Sequence, residues 1–167
     1  TGGMGVAAPN FYYSDEIADE CMKKIFLPTI NALNQEGRKF KGCLYFGLML
    51  TREGAKVIEY NCRFGDPEAE AVLPLLDCDL FDILLAVRDE RLNELNIKFK
   101  DSASCCVILA SGGYPGKYLS GYEIDFGESD KIEGVEIFHC GTKFENGKYY
   151  TSGGRVLAVN AVACDFP

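Results

Sequence analysis

Residues 57–68, which read VIEYNCRFGDPE, place an acid, an amide and an arginine within a few positions of one another. Glu59 and Asn61 lie two residues apart on a predicted strand, Lys56–Asn61, so both side chains face the same side. One carboxylate and one carboxamide oxygen can hold a hard cation such as Mg²⁺, which completes its shell with phosphate and water. The spacing therefore indicates a metal site that needs a nucleotide to supply the remaining ligands.

The charged residues that follow this strand have two interpretations. Arg63 continues the same face and can meet an anion with its planar guanidinium fork. Asp66 and Glu68 follow on a loop held by Gly65 and Pro67, where they can engage an amine or a sugar hydroxyl. In the other interpretation, a charged strand end turns into solvent and Arg63 pairs with Asp66. From the residues alone, both interpretations stay open.

The neighbouring segments predict helices packed on an antiparallel hairpin. The apolar run Cys43–Thr51 precedes a tight turn and the strand described above, which is typical of a hairpin. Ser14 is predicted to cap a helix that passes Pro28 with a kink or as two abutting helices. Two further helices are predicted over Ala69–Leu76 and Asp79–Val87.

The second half of the chain is mostly β in character. Strands are predicted over Ser104–Ala110, Glu136–Cys140 and Arg155–Ala163, with a hairpin around Asn146-Gly147. The glycine-rich segment Thr1–Asn10 is predicted to be a loop. The polar stretch 89–100 separates a first part that mixes helices and strands from a second part that is mostly β. We therefore expect an α+β chain with one domain at 1–100 and another at 101–167.

The composition excludes several classes of protein. Lys plus Arg number 17 and Asp plus Glu number 25, so the net charge of −8 argues against a nucleic-acid partner. No apolar run approaches the roughly 20 residues of a membrane span, and the first residues do not read as a signal peptide. Eight cysteines without C-x-x-C spacing and one histidine argue against zinc and favour reduced thiols in a cytoplasmic protein.

The run 57–68 also resembles the signature of the glycinamide ribonucleotide synthetase (phosphoribosylamine–glycine ligase) family of ATP-grasp enzymes. The family pattern is a strand with E-x-N followed by R-F-G-D-P-E, and every one of those positions is present. Five other segments resemble family motifs in the same order: Thr1–Gly5 (TGGMG), Gly42–Thr51, Gly113–Gly116 (GYPG), His139–Thr142 and Gly153–Leu157 (GGRVL).

The resemblance implies a fold and a reaction. Residues 1–100 would be the C-terminal part of an ATP-grasp core, an antiparallel sheet with packed helices, and residues 101–167 a small β-rich C-terminal domain. The enzyme would join glycine to 5-phosphoribosylamine with ATP, through glycyl phosphate, in the second step of de novo purine synthesis. Glu59 and Asn61 would ligate Mg²⁺ or Mn²⁺, and Arg63, Asp66 and Glu68 would stabilise charge and place the substrates.

The same resemblance assigns two glycine loops to the substrate site. Gly2, Gly3, Met4 and Gly5 would line it, and a loop carrying Gly154 and Arg155 would close over it, with Arg155 available to a phosphate. Without the resemblance, the first loop would be a plain turn and Arg155 an exposed arginine at the start of a strand.

The sequence also departs from the family at three places. Val6-Ala7-Ala8 follow the first motif, Glu70 stands where many members have Gln, and Phe46-Gly47-Leu48 occupy the region of a further carboxylate. The last departure puts a second metal held by protein carboxylates in doubt.

Other readings of the whole chain remain open. It can belong to another ligase or carboxylase of purine synthesis, or it can serve as a non-catalytic interaction module. The family's N-terminal domain, small ATP-lid domain and phosphate-gripping lysines would lie upstream of Thr1, so we expect this chain alone to be inactive. In many eukaryotes the family's domains are fused to later enzymes of the pathway, and such a fusion is also open here.

Overall fold

The computed structural model describes residues 2–166, apart from the side chain of Asp130. Its strands are β1 (Gly5–Ala8), β2 (Tyr45–Thr51), β3 (Gly54–Asn61), β4 (Ala103–Ala110), β5 (Glu123–Ile124), β6 (Val135–His139), β7 (Thr142–Glu145), β8 (Lys148–Thr151) and β9 (Arg155–Ala163). Its α-helices are α1 (Asp15–Cys21), α2 (Leu27–Gln35), α3 (Glu68–Val72) and α4 (Leu80–Asp89). Helices and antiparallel sheets occur together, which confirms the predicted α+β class.

The chain divides into two compact units, neither of which is continuous in sequence. The first unit contains the described residues up to Ala8, Asp66–Asp77, and the chain from Phe99 onward. The second contains Pro9–Gly65 and Cys78–Lys98. The predicted boundary near residue 100 stays a prediction, since these compact units follow no single cut in the sequence.

A four-stranded antiparallel sheet in the order β1-β4-β9-β6 forms the centre of the first unit. Its edge strand β1 pairs with β4 from Gly5 opposite Val107 to Ala8 opposite Ser104. The predicted loop over Thr1–Asn10 is therefore wrong for residues 5–8, while Thr1 lies outside the described residues. The partner strand begins almost a hundred residues later, so no local pattern marks this strand.

One face of this sheet is covered by α3. Ala71 of that helix is fully buried with Cys106, Ile108 and Ala158 of the sheet, and these four form the core cluster of the unit. Burial of such side chains is the main term that stabilises the unit. Since α3 contacts β1, β4 and β9, the loop that precedes the helix and holds Asp66 lies beside this sheet.

A second sheet in this unit has the order β5-β8-β7. The β7–β8 hairpin turns at Asn146 and Gly147, which have φ of 51° and 80°. A two-residue turn with both central residues at positive φ is the type that Asn-Gly favours, so the predicted hairpin is confirmed.

The second unit contains the long helical segment, the β2–β3 hairpin and α4. The Ser14 hydroxyl caps α1 by accepting a hydrogen bond from the Ile17 amide at 3.4 Å. A π-helical turn, Met22–Phe26, then joins α1 to α2, and Pro28 lies in the first turn of α2. The predicted abutting helices are confirmed, with the π-helical turn between them. The backbone stays helical throughout, so Pro28 lies within it and lacks one intrahelical donor. Among the described residues, no helix is both long and apolar enough to cross a membrane.

Candidate functional site

The strand β3 carries the two predicted metal ligands on one face of the hairpin. Phe46 pairs with Tyr60 across the hairpin, and the Phe46 ring lies 4.5 Å from the Phe26 ring of the helical segment. Since successive side chains alternate, Glu59 and Asn61 face away from that helical segment. The Asn61 Nδ2 donates a hydrogen bond to Glu59 Oε1 at 3.2 Å, so the two side chains are in contact.

The strand opposite Glu59 provides room for the carboxylate. Gly47 pairs with Glu59, and a Cβ at Gly47 would lie 3.0 Å from the Glu59 Cγ. The register then shifts, with Leu48 opposite Val57, which leaves Ile58 as the extra residue of a β-bulge. Bulges change the direction of neighbouring side chains and often occur beside active sites. This bulge lies directly beside Glu59, the residue that is predicted to bind metal.

This pair fits a hard cation that brings its own ligands. Within residues 2–166 no group of three or more His, Cys, Asp and Glu side chains could hold a metal by itself. Glu59 is exposed, and its carboxylate with the Asn61 carboxamide offers oxygen donors on one open face. Such a set suits Mg²⁺ or Mn²⁺ with phosphate oxygens and water in the remaining positions, and does not suit a closed structural zinc site.

The guanidinium of Arg63 lies just beyond this strand. Its Nη1 donates a hydrogen bond to the Phe64 carbonyl at 2.8 Å, and the side chain is exposed. An arginine with five donors keeps capacity for an anion after one such contact.

In the first unit, Asp66 and Arg155 form a two-pronged ion pair. Arg155 Nη1 donates to Asp66 Oδ1 at 2.8 Å, and Nη2 donates to Oδ2 at 2.6 Å. The Arg155 side chain is 22% exposed and that of Asp66 is 45% exposed. The hydrogen bonds that Arg155 donates to Asp66 raise the pKa of Arg155, so the guanidinium stays charged under all ordinary conditions. The resemblance implies that Arg155 is available to a phosphate, and the structure shows that both carboxylate oxygens of Asp66 accept hydrogen bonds from it.

The first glycine motif is divided between this ion pair and the sheet. Arg155 Nη1 also donates to the Gly3 carbonyl at 3.1 Å, and a Cβ at Gly2 would lie 3.1 Å from the Arg155 Cζ. Met4 and Gly5 lie farther along: the Met4 carbonyl accepts a hydrogen bond from the Ile108 amide, and Gly5 begins β1. The structure thus brings Gly2 and Gly3, but not the sheet residue Gly5, to the ion pair.

Gly154 lies beneath an aromatic ring that sequence reasoning had not singled out. A Cβ at Gly154 would be 2.2 Å from Tyr114 Cδ2, and the Tyr114 hydroxyl accepts a hydrogen bond from the Gly2 amide at 3.2 Å. The signal for Tyr114 was present in the sequence, because it stands between Gly113 and Pro115 in the GYPG segment. A bulky ring in a turn of small residues indicates a specific packing site.

Glu68 begins α3 and is half-buried. Its neighbour Glu70 has one carboxylate oxygen, Oε2, that is buried and has no hydrogen-bond partner among the described residues. Burial, with Glu70 nearby, raises the pKa of the Cys106 thiol to about 11 and also raises the pKa of Cys140. These two thiols therefore stay protonated near neutral pH, which makes them poor nucleophiles.

Comparison with known proteins defines the class first. Residues 1–69 match the model of the phosphoribosylglycinamide synthetase ATP-grasp (A) domain, and residues 104–167 match the model of the C domain of the same synthetase. A phosphoribosylamine–glycine ligase from Caldanaerobacter subterraneus subsp. tengcongensis is 46% identical over 97% of this chain and 38% of its own length. The trifunctional purine biosynthetic protein adenosine-3 of Gallus gallus is 43% identical over 99% of this chain and 17% of its own length.

A solved structure agrees with these sequence matches. The crystal structure of phosphoribosylamine–glycine ligase from Thermotoga maritima has a TM-score of 0.83 and 30% identity, and it covers 99% of this chain. The chain belongs to the phosphoribosylglycinamide synthetase family. It spans about two fifths of the length of the single-function relatives that it matches.

Proposed function

We propose that this chain forms part of a ligase that joins glycine to 5-phosphoribosylamine with ATP. Glycine would be activated as glycyl phosphate, and the products would be glycinamide ribonucleotide, ADP and phosphate, as in the second step of de novo purine synthesis. The observation that carries the proposal is the Glu59–Asn61 pair on the open face of β3, in a chain of this family.

Glu59 and Asn61 would hold Mg²⁺ or Mn²⁺ at this face. When bound, the cation would neutralise charge on the ATP phosphates and make phosphoryl transfer easier. The protein's own part is to aim two oxygens from one strand, with the 3.2 Å contact between the side chains limiting their movement. Fixed oxygens cost little reorganisation when charge moves.

The remaining site residues would act by charge and position. Arg63 is exposed and follows the predicted metal ligands in the sequence. It would stabilise a carboxyl or phosphate oxygen. Asp66 and Glu68 would place the substrates, Asp66 through the segments that its ion pair holds. The loops of Gly2, Gly3, Met4, Gly5 and of Gly154 and Arg155 would line the substrate site.

The proposal extends to partners, location and domains. A fusion to later purine enzymes is supported by the multifunctional relatives, such as the one from Gallus gallus. A cytoplasmic location is supported by eight free thiols, a state that a reducing compartment maintains. The boundary near residue 100 is supported by the two family models, which leave residues 70–103 between them.

The test is glycine-dependent and phosphoribosylamine-dependent ADP release by the full-length natural protein. We expect turnover to need both substrates, and Glu59→Gln to lower kcat by about three orders of magnitude or more, because one charged metal ligand is lost. Glu53→Gln is the matched control, since Glu53 lies at the turn of the same hairpin and is 84% exposed. It should leave kcat unchanged.

Three outcomes separate the alternatives. ADP release that ignores glycine would indicate a different ligase or carboxylase. A stable protein that binds neither nucleotide nor Mg²⁺ would indicate an interaction module. Normal kcat in Glu59→Gln would show that the metal lies elsewhere, even with the reaction correct. The 167-residue chain by itself should form no ribonucleotide product.

A further inference from the structure

The guanidinium of Arg155 connects three segments that are far apart in the sequence. It donates to both carboxylate oxygens of Asp66, to the Asp66 carbonyl at 3.3 Å and to the Gly3 carbonyl at 3.1 Å. Charge-assisted, bidentate bonds of this length are the strongest and most directional that side chains make. One side chain therefore fixes the position of two loops relative to the start of β9.

The loops approach one another closely only because they lack side chains. A Cβ at Gly3 would lie 2.4 Å from Pro67 Cδ and 3.0 Å from the Asp66 carbonyl oxygen. A Cβ at Gly2 would lie 3.1 Å from the centre of the guanidinium. Glycines in the first motif thus serve the contact with Arg155 and with the Asp66–Pro67 segment, in addition to any approach to a ligand.

A second connection lies behind the guanidinium. The Tyr114 ring packs where a side chain at Gly154 would be, and its hydroxyl accepts the Gly2 amide hydrogen. The Gly154 carbonyl accepts a hydrogen bond from the Ser111 amide at 2.8 Å. The residue immediately before Arg155 is therefore held on both sides, which restricts the backbone from which the guanidinium projects.

We propose that Arg155 is a positioning residue of the proposed ligase, acting through Asp66 and Gly3, and is not a direct ligand of the substrate phosphate. Its charge is neutralised by Asp66 before any anion arrives, and its fork is used on the protein itself. The inference rests on the proposed function, since it assigns Arg155 and Asp66 one joint role in the same site.

The test uses the full-length natural protein and the variants Arg155→Lys, Asp66→Asn and their combination. We call the contact of Arg155 with Asp66 and Gly3 the clamp. Lysine keeps the charge that a phosphate needs but lacks the planar fork that the clamp needs. If Arg155 positions the loops, each single variant lowers kcat by about 100-fold, the loss that a misplacement of about 1 Å can cause. The KM for phosphoribosylamine should then stay within about threefold, and the double variant should be no worse than the worse single one.

The matched control is Lys148→Gln with Glu123→Gln. Lys148 and Glu123 form an ion pair at 2.8 Å in the same unit, but their side chains are 55% and 50% exposed. Their loss should change neither kcat nor KM, because exposed ion pairs contribute little.

Two results would overturn the inference. One is a rise in the KM for phosphoribosylamine with Arg155→Lys while Asp66→Asn behaves as wild type, which is the behaviour of a phosphate ligand. The other is a double variant whose loss of kcat, expressed as a free energy, equals the sum of the losses in the two single variants. If the wild type shows no glycine-dependent turnover, the proposed function fails. Urea unfolding of the same variants then still tests the clamp. A midpoint shift in the double variant equal to the sum of the two single shifts would refute it, and a shift no larger than the larger single one would support it.

Discussion

The contact between Gly154 and Tyr114 predicts a large penalty for adding a single methyl group. In Gly154→Ala, the new Cβ would lie 2.2 Å from Tyr114 Cδ2 and 2.5 Å from Cε2. Carbon atoms prefer a separation of about 3.5 Å or more, so ring or backbone must move by roughly 1.3 Å. Movement of the ring would strain the hydrogen bond that its hydroxyl accepts from the Gly2 amide.

The penalty should be entirely steric. The φ of Gly154 lies outside the left-handed region, so alanine can adopt its backbone conformation. Overpacking of this kind costs about 1–3 kcal/mol. Gly112→Ala, in the loop that precedes Tyr114, is the matched control, because nothing lies within 4 Å of its added Cβ and its φ is also ordinary. That control should stabilise the chain by about 0.4–1 kcal/mol through the unfolded state.

Urea unfolding followed by circular dichroism measures both variants. The free energies of unfolding should differ by about 1.4–4 kcal/mol, which at an m-value of about 2 kcal/mol/M is a midpoint difference of about 0.7–2 M. In a Tyr114→Ala background, the cost of Gly154→Ala should largely disappear. Equal midpoints for Gly154→Ala and Gly112→Ala, or a cost that persists without the ring, would refute this reasoning.

Two further predictions concern titration. Lys39 and Lys41 both contact Glu90 and lower its pKa to about 2. NMR titration of the carboxyl groups should therefore find Glu90 charged well below pH 4. The variant Lys41→Gln should shift the pKa of Glu90 upward. Because the folded value lies below the unfolded one, the stabilisation by this pair is complete above about pH 4.5 and is lost as the pH falls towards 2; an unchanged pKa in Lys41→Gln would contradict it. Cys106 is fully buried, and its pKa is raised to about 11. After alkylation at pH 8, mass spectrometry should find Cys106 unmodified when the exposed Cys62 is fully modified. Equal modification of the two would show that β4 is open.

Features that depend on neighbouring residues were predictable from the sequence. The Ser14 cap, the turn at Asn146-Gly147 and the shared face of Glu59 and Asn61 all follow from spacings of a few residues. Each rests on backbone geometry that holds in any fold, such as the alternation of side chains along a strand. Local rules therefore gave both the β3 hairpin and its candidate metal ligands.

Features that join distant segments were not predictable. The Arg155–Asp66 pair spans 89 positions, and the Tyr114–Gly2 hydrogen bond spans 112. No periodicity links such residues. The residues alone indicate an exposed arginine at the start of a strand, and only the family resemblance makes Arg155 available to a phosphate. The family resemblance assigns these loops to the substrate site, but the pairing between them follows only from the three-dimensional structure.

The place of β1 in the sheet has a consequence for how the chain is made. Gly5–Ala8 find their partners only at Ser104–Val107, so this strand must wait for about a hundred further residues to be synthesised. At about 5–20 residues per second, that delay is roughly 5–20 seconds. During this time the segment remains an unpaired strand on the nascent chain. Slow translation of the middle of the chain would lengthen its exposure to chaperones and to other nascent chains, and codon choice there would influence the yield of folded protein.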